Sequence, residues 1–226
     1  MPKPPSKPIS RAEQQRVAVV TGVAGGLGPA VKQALEQAGY TVAGISRKEA
    51  DVTIEAEVNA AVAQIMQRAG RIDVLVNVAG GFAGGKHVHE TDVSTWEHML
   101  GLNLTSTFLC CRAVIPHMLA AGYGRIVNVS SRSAVQPAAG LSAYNVSKAG
   151  VVTLTETLAA ELRGANVTAN AVLPSVIDTP SNRAAMPKAD PSKWVTPEQI
   201  AAVIVDLVSD RWGIVSGASI PAYGEA

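Results

Sequence analysis

Aromatic residues are scarce in this sequence: two phenylalanines, three tryptophans and four tyrosines, 4% of 226 residues. So few rings give no sign of a bulky substrate. Charge is sparse too, at 16%, and nineteen Lys and Arg nearly cancel eighteen Asp and Glu for a net charge of +1. That balance removes the electrostatic argument for nucleic acid or an anionic membrane surface. Arg112 and His117 interrupt the longest apolar stretch, so no membrane span is expected. Cys110 and Cys111 are adjacent, which suits neither a mutual disulfide nor a metal site. They read as buried small hydrophobes in a reducing, cytoplasmic setting. His87, His89 and His98 have no nearby cysteine or well-placed further ligand, and no metal is expected there. Residues 1–15, rich in Pro and Lys without a hydrophobic core segment, read as a flexible tail and not a secretory signal. The length of 16–226 suits one domain.

What is present is apolar: 47% of the chain, arranged as short β-branched runs alternating with longer helical stretches. Strands are expected at Val17–Val20, Thr41–Ser46, around Asp51-Val52, Asp73–Val78, Ile126–Ser130, Val167–Leu173 and Ile214–Ile220. Helices are expected at Leu27–Gly39, Glu55–Ala69, Trp96–Ala121, Ala143–Arg163 and Pro197–Ser209. Such alternation argues an α/β fold, a doubly wound parallel sheet with helices on both faces.

Directly after the first strand comes Thr21-Gly22-Val23-Ala24-Gly25-Gly26-Leu27-Gly28, then a helix. Glycines allow a tight turn and let a pyrophosphate approach without a Cβ in the way, while the helix start supplies N–H groups and a positive dipole end. This is a dinucleotide-binding turn, with the ligand expected at the carboxyl ends of the strands. After the second strand, where an acidic residue would accept from a ribose 2′-hydroxyl, stand Ser46, Arg47 and Lys48. Two cations and a hydroxyl suit a 2′-phosphate, so NADP(H) is favoured, with NAD(H) the alternative. Asp51 and Val52 are expected beside the adenine.

Tyr144 and Lys148, four residues apart where a helix begins, share one face. A free tyrosine holds its proton to about pH 10. A neighbouring ammonium favours the phenolate and draws that pKa toward the range of a general acid or base.

From Arg16 to Gly224 the chain resembles the short-chain dehydrogenase/reductase family. The likeness rests on the glycine turn, the Tyr144–Lys148 pair, Asn77-Val78-Ala79-Gly80, Asn103 in Leu102-Asn103-Leu104-Thr105, Ser131 in Val129-Ser130-Ser131, and Pro174 to Thr179. Val78 stands where the family has Asn, and Ser175 where it has Gly. The resemblance implies a Rossmann-type sheet of about seven strands in the order 3-2-1-4-5-6-7. It implies a catalytic set of Asn103, Ser131, Tyr144 and Lys148. It also implies cofactor contacts from Asn77, Ala79, Gly80, Pro174, Ile177 and Thr179, besides Thr21 and the turn glycines. Other segments, including Ala79 to Gly85 and Asn182 to Trp194, are similar to the dihydropteridine reductase branch.

The expected chemistry is reversible reduction of a ketone or aldehyde. Ser131 and Tyr144 would grip the carbonyl oxygen, and Tyr144 would give it a proton. Lys148 would hold the nicotinamide ribose, and Asn103 would anchor a water leading to Lys148. A short lid at 180–195 would offer Asn182, Met186 and Trp194 to the substrate, opposite a wall from Gly81 and Phe82. Alternatives are a quinonoid dihydropteridine reductase and a non-catalytic NADP(H)-sensing module. Small residues such as Ala149, Gly150, Ala159 and Ala160 suggest a homotetramer or homodimer paired through the long helices.

Overall fold

A computed structural model describes residues 15–225; of the tail expected at 1–15, residues 1–14 lie outside the described residues. Six strands form one parallel sheet: β1 (Val17–Thr21), β2 (Thr41–Ile45), β3 (Val74–Asn77), β4 (Gly124–Val129), β5 (Val167–Pro174) and β6 (Ser219–Ala222), in the order β2-β1-β3-β4-β5-β6. Side chains alternate between the two faces, so each strand feeds two cores. In register across the sheet, Ala43, Val19, Leu75, Ile126 and Ala169 form one continuous apolar row. Their neighbours Ala18, Val20, Val74, Val76, Val127 and Val172 face the other way. Every residue of β1, β3 and β5 is buried, as a sheet covered on both faces requires.

Helices α1 (Gly28–Gln37) and α7 (Pro197–Val208) cover one face through Val31, Leu35, Ile200, Ile204 and Leu207. The start of α7 is fixed by a reciprocal cap between Thr196 and Gln199, with Pro197 at its first position. Helices α2 (Glu55–Ala69), α4 (Ser106–Ala121) and α5 (Ser142–Glu161) cover the other. Helix α3 (Val93–Met99) runs into α4 through a π-helical stretch, Leu100–Thr105. By length and composition Val93–Ala121 could cross a membrane. Its apolarity has a local use, however, since Leu109, Cys110, Cys111, Val114 and Met118 all enter the core.

The expected third strand does not form. A parallel strand needs a crossover of about a dozen residues or more, and only Ser46 to Ala50 separate Ile45 from Asp51. Asp51 instead makes a turn, its Oδ1 accepting from the Thr53 N–H (2.9 Å) and Oγ1 (2.7 Å), and the chain enters α2 directly. The remaining strands keep the expected order, with β2 as an edge. The last strand also begins later than expected. Ile214 is 96% exposed, and the chain turns at Gly217, whose N–H donates to Ala169 O, before β6 starts.

Candidate active site

A cleft of about 1320 Å³ opens at the carboxyl ends of the strands, where the paired strands β1 and β3 lead to α1 on one face of the sheet and α4 on the other. Its floor is the glycine turn. Gly22 has φ +66°, and a Cβ there would stand 2.8 Å from the Ala79 backbone. Only glycine fits both constraints. Thr21 Oγ1 accepts from the Val78 and Ala79 N–H groups, 3.1 Å each, tying this turn to the loop after β3. A Cβ on Gly28 would lie 2.3 Å from Gly22 O, and one on Gly26 would lie 2.8 Å from Thr179 Cγ2. Gly22, Gly25, Gly26 and Leu27 line the cleft, whereas Thr21 and Gly28 stand behind it as braces. The first-turn N–H groups of α1, which no helical carbonyl can satisfy, begin at this floor.

One end of the cleft is lined by Ser46, Arg47, Lys48, Asp51 and Val52. Glu49 was not anticipated. Its Oε2 accepts from the Ser46 N–H (2.8 Å) and Oγ–H (2.6 Å), bonds that hold its carboxyl below the usual range. The spacing Ser46-x-x-Glu49 is a helix-start pattern and could have revealed it.

At the other end, α5 presents Tyr144 and Lys148 to the cleft, with Ser131 facing them from the loop after β4. Lys148 is buried, its Nζ donating to Val129 O at 3.0 Å, and burial lowers its pKa to about 8. The Tyr144 phenol behaves differently from the expectation. Burial raises its pKa, and the opposing influence is its hydrogen bond with Ser131, not the Lys148 ammonium. Burial thus outweighs the hydrogen bond and holds the phenol above the range of a free tyrosine.

Asn103 lies within the π-helical stretch, a distortion common at functional sites. Its side chain acts as a clamp. Oδ1 accepts from the Gly81 N–H (2.9 Å), and Nδ2 donates to Gly81 O (3.2 Å) and to Ser147 Oγ (3.0 Å). Ser147 in turn donates to Tyr144 O at 2.8 Å. The loop at 80–81 is thus pinned to the first turn of α5, and a Cβ on Gly80 would meet Asn103 Oδ1 at 2.8 Å and Lys148 Nζ at 3.3 Å. No sequence signal singled out Ser147.

The remaining expected residues divide. Ala79, Gly80, Gly81, Phe82, Pro174, Ile177, Thr179, Asn182 and Met186 line the cleft. Phe82, 64% exposed, meets the Tyr144 ring edge-on with centroids 5.0 Å apart. Asn182 Nδ2 donates to Ile177 O at 2.8 Å, at the start of the short helix α6 (Pro180–Ala185). Asn77 and Trp194 do not line the cleft. Asn77 donates to Asn128 Oδ1 (2.9 Å) and Cys111 Sγ (3.4 Å) inside the sheet, because its strand position points it into the core. Trp194 is buried, so its ring packs the segment down, and its backbone N–H closes a turn on Pro191 O. Ser175, in the family's glycine position, ties the loop to the C-terminal strand: Oγ donates to Tyr223 O (2.6 Å) and its N–H to Ala222 O (3.1 Å). His98 and Leu141 also line the cleft, and no motif marked them; Leu102 lines it too, although only its neighbour Asn103 was singled out in their shared motif.

The short chain dehydrogenase family model matches residues 16–190. The chain is 34% identical over 243 residues to 2-(R)-hydroxypropyl-CoM dehydrogenase of Xanthobacter autotrophicus, covering 92% of this chain and 97% of that protein. It is 33% identical to the 3-oxoacyl-[acyl-carrier-protein] reductase FabG of Thermotoga maritima, covering 92% and 96%. Among solved structures it is similar to ElxO with NADP bound, with a TM-score of 0.88 and 25% identity over 93% of this chain and 98% of that one. The chain belongs to the short-chain dehydrogenase/reductase family and is an oxidoreductase.

Proposed function

We propose that this protein is an NADP(H)-dependent carbonyl reductase, reversible as an alcohol dehydrogenase, with Tyr144 as the proton donor. The observation that carries the reading is one continuous cleft that joins the glycine turn to Ser131, Tyr144 and Lys148. The residues fit a dinucleotide. Gly22, Gly25 and Gly26 leave room for a pyrophosphate at the start of α1, and Arg47 and Lys48 stand at the ribose end. Such a cofactor supplies the hydride; the protein supplies position and electrostatics. The likeness to a hydroxyalkyl dehydrogenase, an oxoacyl reductase and an NADP-bound structure supports alcohol–carbonyl chemistry with this cofactor.

In this reading Ser131 and Tyr144 hydroxyls hold the carbonyl oxygen as it gains negative charge. Tyr144 transfers its proton there; burial keeps the phenol protonated at neutral pH, and positive charge beside it has to lower its pKa for the transfer to be efficient. Lys148 holds a ribose and, once paired with it and with the developing phenolate, retains its positive charge. Asn103 keeps the 80–81 loop and the first turn of α5 in register with each other. Phe82, Leu102, Leu141 and Met186 wall the reacting centre, and of the proposed lid it is Ser181, Asn182, Ala185 and Met186 that face it. Exposed Phe108 and Val146 on α4 and α5 support pairing of these helices between copies.

The test is Tyr144→Phe. NADPH binding, followed by cofactor fluorescence, is expected to be unchanged, while turnover of a ketone that the parent reduces falls by about 10²–10⁴. Turnover close to that of the parent would refute the role given to Tyr144.

A further inference from the structure

We infer that Glu49 is a specificity-determining residue: its carboxylate occupies the anion position at the end of β2 and competes there with the 2′-phosphate of NADP(H). The inference rests on the dinucleotide reading above and concerns one subsite of it. Both polar hydrogens that Ser46 can offer, the N–H at 2.8 Å and the Oγ–H at 2.6 Å, go to a single Glu49 oxygen. Ser46 Oγ also accepts from the Lys48 N–H at 3.2 Å. The arrangement is fixed from below, since Glu49 and Ala50 N–H groups both donate to Ser46 O at 3.0 Å and Ala50 is buried in the core. Glu49 is exposed and stands just outside the cleft lining; it reaches the cleft only through Ser46, which lines it together with Arg47 and Lys48.

A phosphate bound at Ser46 needs the same two donors. It cannot share them with a carboxylate, because two anions at hydrogen-bond distance repel each other. Glu49 must therefore leave Ser46 before a 2′-phosphate can be held, and its charge remains nearby afterwards. A ribose 2′-hydroxyl meets no such obstacle, since it can donate to the carboxylate while Ser46 stays paired. Arg47 and Lys48 favour the phosphate, and Glu49 opposes it.

The experiment titrates NADPH and NADH separately into the wild-type protein, Glu49→Gln and Glu49→Ala, reading cofactor fluorescence at equilibrium. Thermal unfolding of all three checks that the fold is kept; a merely structural cap would lower the melting temperature without changing the ratio of the two affinities. Both variants are expected to tighten NADPH about tenfold relative to NADH, the equivalent of about 1.4 kcal/mol. An unchanged NADPH-to-NADH ratio in both variants overturns the inference while leaving the dinucleotide reading intact. Failure of the wild type to bind either dinucleotide overturns both.

Discussion

Replacing Lys148 by methionine probes the reactive end of the cleft through stability as well as turnover. Burial lowers the Lys148 pKa from 10.5 to about 8 in the folded protein, while in the unfolded chain the group titrates at about 10.4. Between those values the unfolded state holds more protons than the folded one, so folding stability rises with pH. Below about pH 8 both states are protonated and the cost of burying the ammonium is complete. Above about pH 10.5 both are neutral and that cost is gone. The separation between 10.5 and about 8, at about 1.36 kcal/mol per pH unit, corresponds to about 3 kcal/mol. Methionine has a similar unbranched shape and no titratable group, so its stability lacks this contribution. Urea unfolding of both proteins at steps from pH 7 to 10.5, with the difference plotted, cancels every other titration they share. The advantage of the methionine variant over the parent is expected to shrink by about 3 kcal/mol across that range, while the variant lacks reductase turnover at every pH. A difference that stays flat would refute the argument, since it would mean the ammonium is already well solvated in the folded state.

Two further predictions concern the scaffold. Gly22→Ala is expected to lose more stability than Gly39→Ala, because both residues have positive φ but only Gly22 would set its new Cβ against backbone, at 2.8 Å. The strain alone costs about 1–2 kcal/mol; equal losses in urea unfolding would show that the turn yields to the clash. Asp73, buried, accepts from the Val17 N–H (2.8 Å) and from Arg71 Nε (2.8 Å) and Nη2 (2.6 Å), joining the start of β1 to β3. Asp73→Ala is expected to cost about 3–5 kcal/mol, measured by urea midpoint at unchanged slope, and a loss below about 1 kcal/mol would remove Asp73 from the supports of the sheet.

Much of the site could be read along the chain because its parts are local. A glycine turn between a strand and a helix is a contiguous motif, and Tyr144 and Lys148 share a helix face by spacing alone. What was missed is non-local or depends on solvation. The Lys148 ammonium sits close in sequence to Tyr144, yet the phenol responds chiefly to burial, and burial is a property of everything packed around it. Asn103 could be matched to a motif, but its partners Gly81 and Ser147 come from two other segments. Asn77 and Trp194 carried polar or aromatic side chains suited to contacts, and their orientation, decided by strand alternation and by packing of the 180–195 segment, turned them inward.

The amino-acid order alone determined the doubly wound class, the place of the cleft and the chemical types gathered in it, since these follow from hydrophobic period and from short motifs. Tertiary structure decided the rest. It decided that the stretch after β2 is too short to return and add a strand, that Thr21 and Gly28 brace the floor from behind, and that a carboxylate from Glu49 sits on Ser46. Each of these depends on how far a folded chain can reach and on which polar group arrives first at a shared donor, and neither is written in any single segment.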